Sequence, residues 1–192
     1  MRSPLLVLLL LTAPAARAQP GPFEVLDVTL AGFVSDPESS LANRWDVLPG
    51  ALLRIEAPFY AGRVFVAGSA ARYVAADAAR SVPGYWAFHA FGGWAYAFRL
   101  PAGAELTPAL HVGVFNWRFD LDDRYGDYNQ AENELASGLD LRLSVPLRER
   151  WRLSLGVWTT RVLTSTRLDY RFAHAGLSWR FDTPRWIREG LQ

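Results

Sequence analysis

From Leu135 to Leu147 the chain alternates: Leu135, Leu139, Leu141, Leu143, Val145 and Leu147 occupy one parity, and Ala136, Gly138, Asp140, Arg142 and Ser144 the other. A period of two puts every leucine on one face and the charges on the opposite face, as a half-buried β-strand requires; a helix would mix them. After Arg148-Glu149-Arg150 the pattern resumes, with Trp151, Leu153, Leu155 and Val157 against Arg152, Ser154, Gly156 and Trp158. This predicts a hairpin with Leu147 opposite Trp151, Val145 opposite Leu153, Leu143 opposite Leu155 and Leu141 opposite Val157.

A second hairpin runs from Gly84 to Asp120, with a turn expected over Pro101-Ala102-Gly103-Ala104-Glu105. Its first strand carries Trp86, Phe88, Ala90, Gly92, Trp94, Tyr96, Phe98 and Leu100 on one face; Leu106, Pro108, Leu110, Val112 and Val114 are placed opposite Leu100, Phe98, Tyr96, Trp94 and Gly92. Phe23 to Val34, Val47 to Ala57, and Leu168 to Phe181 are also strand-like. Gly62 to Val74 has two faces of nearly equal hydrophobicity, which predicts a bulge or a break in phase there. Eight strands result. Short connections near 58–61, 101–105 and 148–150 alternate with longer ones near 35–46, 75–83 and 120–134, and the stretch around 160–167 is intermediate. Tight turns at one end, longer loops at the other and an even strand count describe an all-β, eight-stranded antiparallel up-and-down transmembrane β-barrel.

Face composition separates a membrane barrel from a soluble one. The large apolar residues share one face, while the other combines Gly and Ala with Asp27, Arg54, Glu56, Arg99, Asp140, Arg142, Arg152 and Arg180. So many charges do not fit a soluble core. In a barrel facing lipid they fill the lumen, which at eight strands is just wide enough for side chains. The expected pairs are Asp140 with Arg142 or Arg152, and Glu56 with Arg54 or Arg99. Such a lumen is plugged.

The N-terminus opens with Arg2, runs apolar from Leu5 through Leu11 and reaches Ala16-Arg17-Ala18. These are the three parts of an export signal, and the apolar run is too short to span a bilayer as a helix. The expected organisation is a signal peptide over 1–18, a barrel over 19–181 and a short C-terminal extension over 182–192. Cysteine is absent, so neither disulfides nor thiolate metal sites contribute. Net charge is +1 and every basic residue is Arg, a balance with no nucleic-acid footprint. Eight Trp and an aromatic content of 14% suit a chain with rings at membrane interfaces.

Three histidines, His89, His111 and His174, are the candidates for chemistry. His174 and Ser178 share a face, but four strand residues separate them by about 13 Å, too far to hydrogen-bond. All three are expected as interior or interface side chains, with no catalytic, cofactor or metal site. The acidic and aromatic loop from Asp120 to Glu134 lacks the spacing of a twelve-residue calcium loop and reads as solvated.

The last strand reads His174-Ala-Gly176-Leu-Ser-Trp179-Arg-Phe181. It resembles the terminal assembly signal of bacterial outer-membrane proteins: a polar residue, Gly two later, then hydrophobic or aromatic positions ending in Phe. In many of those proteins Phe is the final residue, whereas here Asp182 to Gln192 follow. From about Phe23 to Phe181 the chain resembles the small outer-membrane barrels of the OmpA and OmpX type. The resemblance implies residence in the outer membrane of a Gram-negative bacterium, with outer-membrane lipid and the barrel assembly machinery as partners. It favours a non-enzymatic structural or surface-interaction role through extracellular loops, with no cofactor. The alternatives are a barrel enzyme modifying outer-membrane lipid and a narrow channel for small hydrophobic solutes.

Overall fold

The computed structural model describes residues 21–35, 44–76, 82–120, 131–164 and 168–191; the expected signal peptide lies outside them. Ten strand segments, β1 (Val25–Ser35), β2 (Trp45–Val47), β3 (Gly50–Phe59), β4 (Gly62–Ala75), β5 (Tyr85–Ala95), β6 (Phe98–Arg99), β7 (Glu105–Phe119), β8 (Ala131–Pro146), β9 (Trp151–Val162) and β10 (Leu168–Asp182), are followed by helix α1 (Arg185–Leu191). β2 with β3, and β5 with β6, each form one interrupted strand, so eight staves stand among the described residues. Each pairs antiparallel with its neighbours in sequence, and β1 pairs with β10 from Val25↔Asp182 to Ser35↔Phe172. That last ladder closes the sheet and removes its edges.

The hairpin of β8 and β9 has the expected register, Leu141↔Val157, Leu143↔Leu155 and Val145↔Leu153. The hairpin of β5–β6 and β7 differs by two residues: Leu106 lies opposite Phe98, Leu110 opposite Trp94, Val112 opposite Gly92 and Val114 opposite Ala90. The reason is a tighter turn. Ala102 and Gly103 both adopt positive φ (58° and 76°), so the chain reverses over Pro101–Gly103, and Leu100 N donates to Ala104 O at 2.8 Å. An even shift leaves every side chain on its expected face.

The predicted irregularity in Gly62–Val74 lies across the ladder instead. β4 pairs without a break with β3 and with β5. Val47↔Tyr73 is followed by Ala51↔Ala70, so the β2–β3 stave holds one extra residue at Leu48-Pro49. Proline cannot donate to the ladder and sits at such bulges. The bulge switches parity, so Trp45 and Val47 share the inward side with Leu52, Arg54 and Glu56. Proline also explains the gap between β5 and β6: Tyr96 N donates to Pro108 O at 3.1 Å, and Pro108 has no N–H to return.

Residues such as Leu30, Leu53, Val66, Leu110, Val112, Leu135, Leu139, Val157 and Leu177 point outward and are exposed, forming an apolar belt. Trp86 and Phe88 stand near its long-loop end; Trp94, Phe98, Trp151 and Trp179 stand toward the short-turn end. Rings at both edges of an apolar band mark the two interfaces of a bilayer.

Candidate functional site

The inward positions divide into two layers. Toward the short turns, strand parity brings charged residues from seven staves together. Glu56 is the hub: it accepts from Arg142 Nη2 at 2.8 Å, Arg63 Nη1 at 3.0 Å and Arg54 Nε at 3.0 Å. Arg54 Nη1 reaches Asp140 Oδ2 at 2.5 Å, and its guanidinium carbon lies 3.6 Å from the centre of the Phe65 ring. Asp27 accepts from Arg180 Nε at 2.8 Å and Arg180 Nη2 at 2.7 Å, and from Arg63 Nη1 at 3.3 Å. Glu105 contacts Arg63 at 3.3 Å and Arg152 at 3.2 Å. A chain of hydroxyls runs beside this network, Thr29 to Ser178 (2.7 Å), Ser178 to Ser154 (2.9 Å) and Ser154 to Ser144 (3.3 Å).

Each buried charge here would carry a heavy desolvation cost if alone; alternation of sign and shared hydrogen bonds offset it. The arrangement is a cross-brace between staves that are not neighbours in the sheet. Arg54 on β3 meets Asp140 on β8, and Arg142 on β8 meets Glu56 on β3.

Asp27, Arg54, Glu56, Asp140 and Arg142 are buried in the lumen, and Arg152 and Arg180 join the network from its half-buried margin. Arg99 lies opposite Glu105 in register but is exposed at the mouth, because β6 ends there. The expected Glu56–Arg54 pair forms. Asp140, expected on Arg142 or Arg152, takes its hydrogen bond from Arg54, and Glu56 is met by Arg63 and Arg142 in place of Arg99. Arg63 and Glu105 were missed. Arg63 sits in the strand with indistinct faces, and Glu105 was placed in the turn that proves to be shorter.

The second layer departs from a polar plug. Toward the long loops the lumen is packed with rings: Phe33 against Trp158 (centroids 4.9 Å) and Phe172 (5.2 Å), Tyr73 stacked on Tyr85 (4.5 Å), and Phe115 on Tyr170 (4.8 Å). Trp117 Nε1 donates to Tyr170 Oη at 3.1 Å. A cavity of about 10 Å³ among Phe33, Ser69, Tyr73, His89, Trp158 and Phe172 has room for a single water.

The histidines lie between the layers, all buried. His111 Nε2 is 3.2 Å from Thr160 Oγ1, and His174 Nε2 is 3.5 Å from Asp140 Oδ1. Ser178 bonds Thr29 and Ser154, not His174. Of the residues that resemble an assembly signal, His174 and Gly176 face inward and Trp179 outward, with Phe181 half-buried, on the strand that closes the barrel. A Cβ at Gly176 would stand 2.4 Å from Leu30 O, so the closing ladder requires glycine there. The loop considered for calcium lies largely outside the described residues.

No protein-family model matches the chain, and no curated protein does. Solved structures do. Neisserial surface protein A matches with a TM-score of 0.57 at 14% identity, over 82% of this chain and 96% of that one. The outer-membrane protein OprG from Pseudomonas aeruginosa matches with a TM-score of 0.54 at 11% identity, over 84% and 98%. Ail, the attachment invasion locus protein of Yersinia pestis, matches with a TM-score of 0.52 at 11% identity, over 82% and 99%. The likeness establishes the fold: a closed eight-stranded antiparallel barrel of the kind found in small bacterial outer-membrane proteins, here with charged and polar residues buried in the short-turn half of its interior.

Proposed function

We propose that this protein is a non-enzymatic outer-membrane barrel, a sealed and rigid mount that presents its long-loop end to a surface partner. The observation that carries the reading is the doubly filled lumen, with an ionic brace in one half and packed rings in the other. A rigid scaffold that carries connecting loops at one end is a common way to build a recognition surface. Two of the structural neighbours are named as a surface protein and an attachment protein, which agrees with a surface role. Outer-membrane lipid would surround the belt, and the barrel assembly machinery would read the β10 strand.

A channel for hydrophobic solutes draws on one feature, a groove of about 370 Å³ beside Trp94, Tyr96, Pro108, Leu110, Leu139 and Leu141. Apart from Ala109 and Asp140, the lining side chains belong to the outer face, and the groove crosses β7 and β8 where Ala109↔Asp140 is an intact pair. A groove on the lipid side over a paired wall supports lipid contact, not passage.

The test is the mature protein refolded into lipid. The unboiled protein should migrate faster on a gel than the boiled one, and planar bilayers containing it should show no current steps above the lipid baseline. Regular steps at low ionic strength would sink the sealed reading; absence of the gel shift would sink the membrane barrel itself.

A further inference from the structure

At the long-loop edge of the belt, three outward residues stand in one row across three neighbouring staves: Arg72 on β4, Trp86 on β5 and Arg118 on β7, paired Arg72↔Trp86 and Trp86↔Arg118. One row closer to the middle of the belt lies Phe88. The Arg118 guanidinium carbon is 5.5 Å over the Phe88 ring and the Arg72 carbon 5.8 Å from Trp86, and the two rings are stacked at 6.1 Å. Trp86 is 46% exposed. Two guanidinium groups thus flank an aromatic shelf where apolar surface gives way to loops.

The surrounding polar groups fix both arginines. Arg72 Nη1 donates to Asp120 Oδ1 at 2.8 Å and Nη2 donates to Oδ2, while Arg118 Nε donates to Asn116 Oδ1 at 3.4 Å. Asp120 is held by its own N–H on Gly84 O at 2.9 Å, and a Cβ at Gly84 would stand 2.8 Å from Asp120 Oδ2. The site is therefore built, and among the described residues it sets two cations against one carboxylate.

We propose that Arg72, Trp86 and Arg118 form a clamp for the phosphate-bearing headgroup of a lipid in the leaflet on the long-loop side. Neighbouring strands lie about 4.8 Å apart, so the two arginine backbones are roughly 10 Å apart, a span that one headgroup bridges. Guanidinium forks bind phosphate oxygens through paired, charge-assisted hydrogen bonds. Trp86 and Phe88 support the apolar body of the same molecule, and their continuity with the lipid-facing belt points to a lipid and not a soluble anion. The proposal rests on the barrel's residence in a membrane.

The experiment refolds the full mature chain into phosphate-free dodecyl maltoside micelles doped with phosphatidic acid or with diacylglycerol of the same tails. Retained lipid is counted by native mass spectrometry after release. The wild type should keep phosphatidic acid and lose diacylglycerol. R118Q, which leaves the Arg72–Asp120 pair in place, and the double variant R72Q/R118Q should each retain about tenfold less or lower still. R148Q/R150Q, at the opposite rim, should retain phosphatidic acid as the wild type does. Retention by R118Q and the double variant equal to the wild type's, an equal loss in R148Q/R150Q, failure of the inserted wild type to prefer phosphatidic acid over diacylglycerol, or full displacement of the lipid by inorganic phosphate would each overturn the clamp. If the wild type shows no gel shift, the membrane reading itself falls, an outcome separate from weak retention by an inserted barrel.

Discussion

Replacing Glu56 with Ala is expected to lower stability by about 3–5 kcal/mol, the cost of leaving buried charge uncompensated. Glu56 accepts hydrogen bonds from three arginines at once, and Arg54 and Arg142, two of the three, are themselves buried. Its loss takes from Arg142 its paired carboxylate, leaves Arg54 on Asp140 and Arg63 on Asp27 and Glu105, and lets the bracing of β3 against β8 fall to Arg54 and Asp140. The measurement is the urea midpoint in lipid vesicles, read by tryptophan fluorescence and by the gel shift. Asp169→Asn is the comparison: its partner Arg161 is also 46% exposed, and a solvated pair of this kind contributes little. Asp140→Ala should fall between the two, since Asp140 holds Arg54 and approaches His174. Midpoints for the Glu56 and Asp169 variants within error of each other would show that the lumen charges are not the brace described here.

The barrel was legible in the sequence because an inverted barrel writes its faces directly as alternation. Leu135 to Leu147 and Trp151 to Val157 gave even the register, since the turn between them adds no irregular residue. The second hairpin slipped by two because Ala102 takes a left-handed conformation that composition does not announce. Gly62–Val74 suggested a bulge because β4 is apolar on both faces, with Phe65, Ala71 and Tyr73 inward and Val66 and Val74 outward, whereas the bulge lies at Leu48-Pro49 in the adjacent stave. The lumen was half legible. Buried charges stand out against apolar neighbours, but which carboxylate meets which arginine depends on barrel stagger, and that placed Arg63 and Arg142 on Glu56. The aromatic layer left only single-residue traces in the sequence. Trp158 and Phe172 stand on the polar parity of their strands, and their size there was the signal that the lumen changes character along its length.

That change of character separates two seals which one substitution can distinguish. Trp158 packs against Phe33, Phe172 (4.7 Å) and the His174 ring (5.4 Å) at the centre of the outer layer. Trp158→Ala should cost about 3–5 kcal/mol through lost burial and the cavity left behind. It should not open a pore. The cavity would face the long loops, while Glu56, Asp140 and their arginines still close the lumen toward the short turns. Current steps are expected only when both layers are weakened, as in Trp158→Ala combined with Glu56→Gln. Planar-bilayer recording decides the matter: a silent single variant and a conducting double variant place the seals in series. Conduction by Trp158→Ala alone would mean that water and ions already pass between the paired charges, leaving the rings as the sole barrier and the ionic layer as a brace that seals nothing.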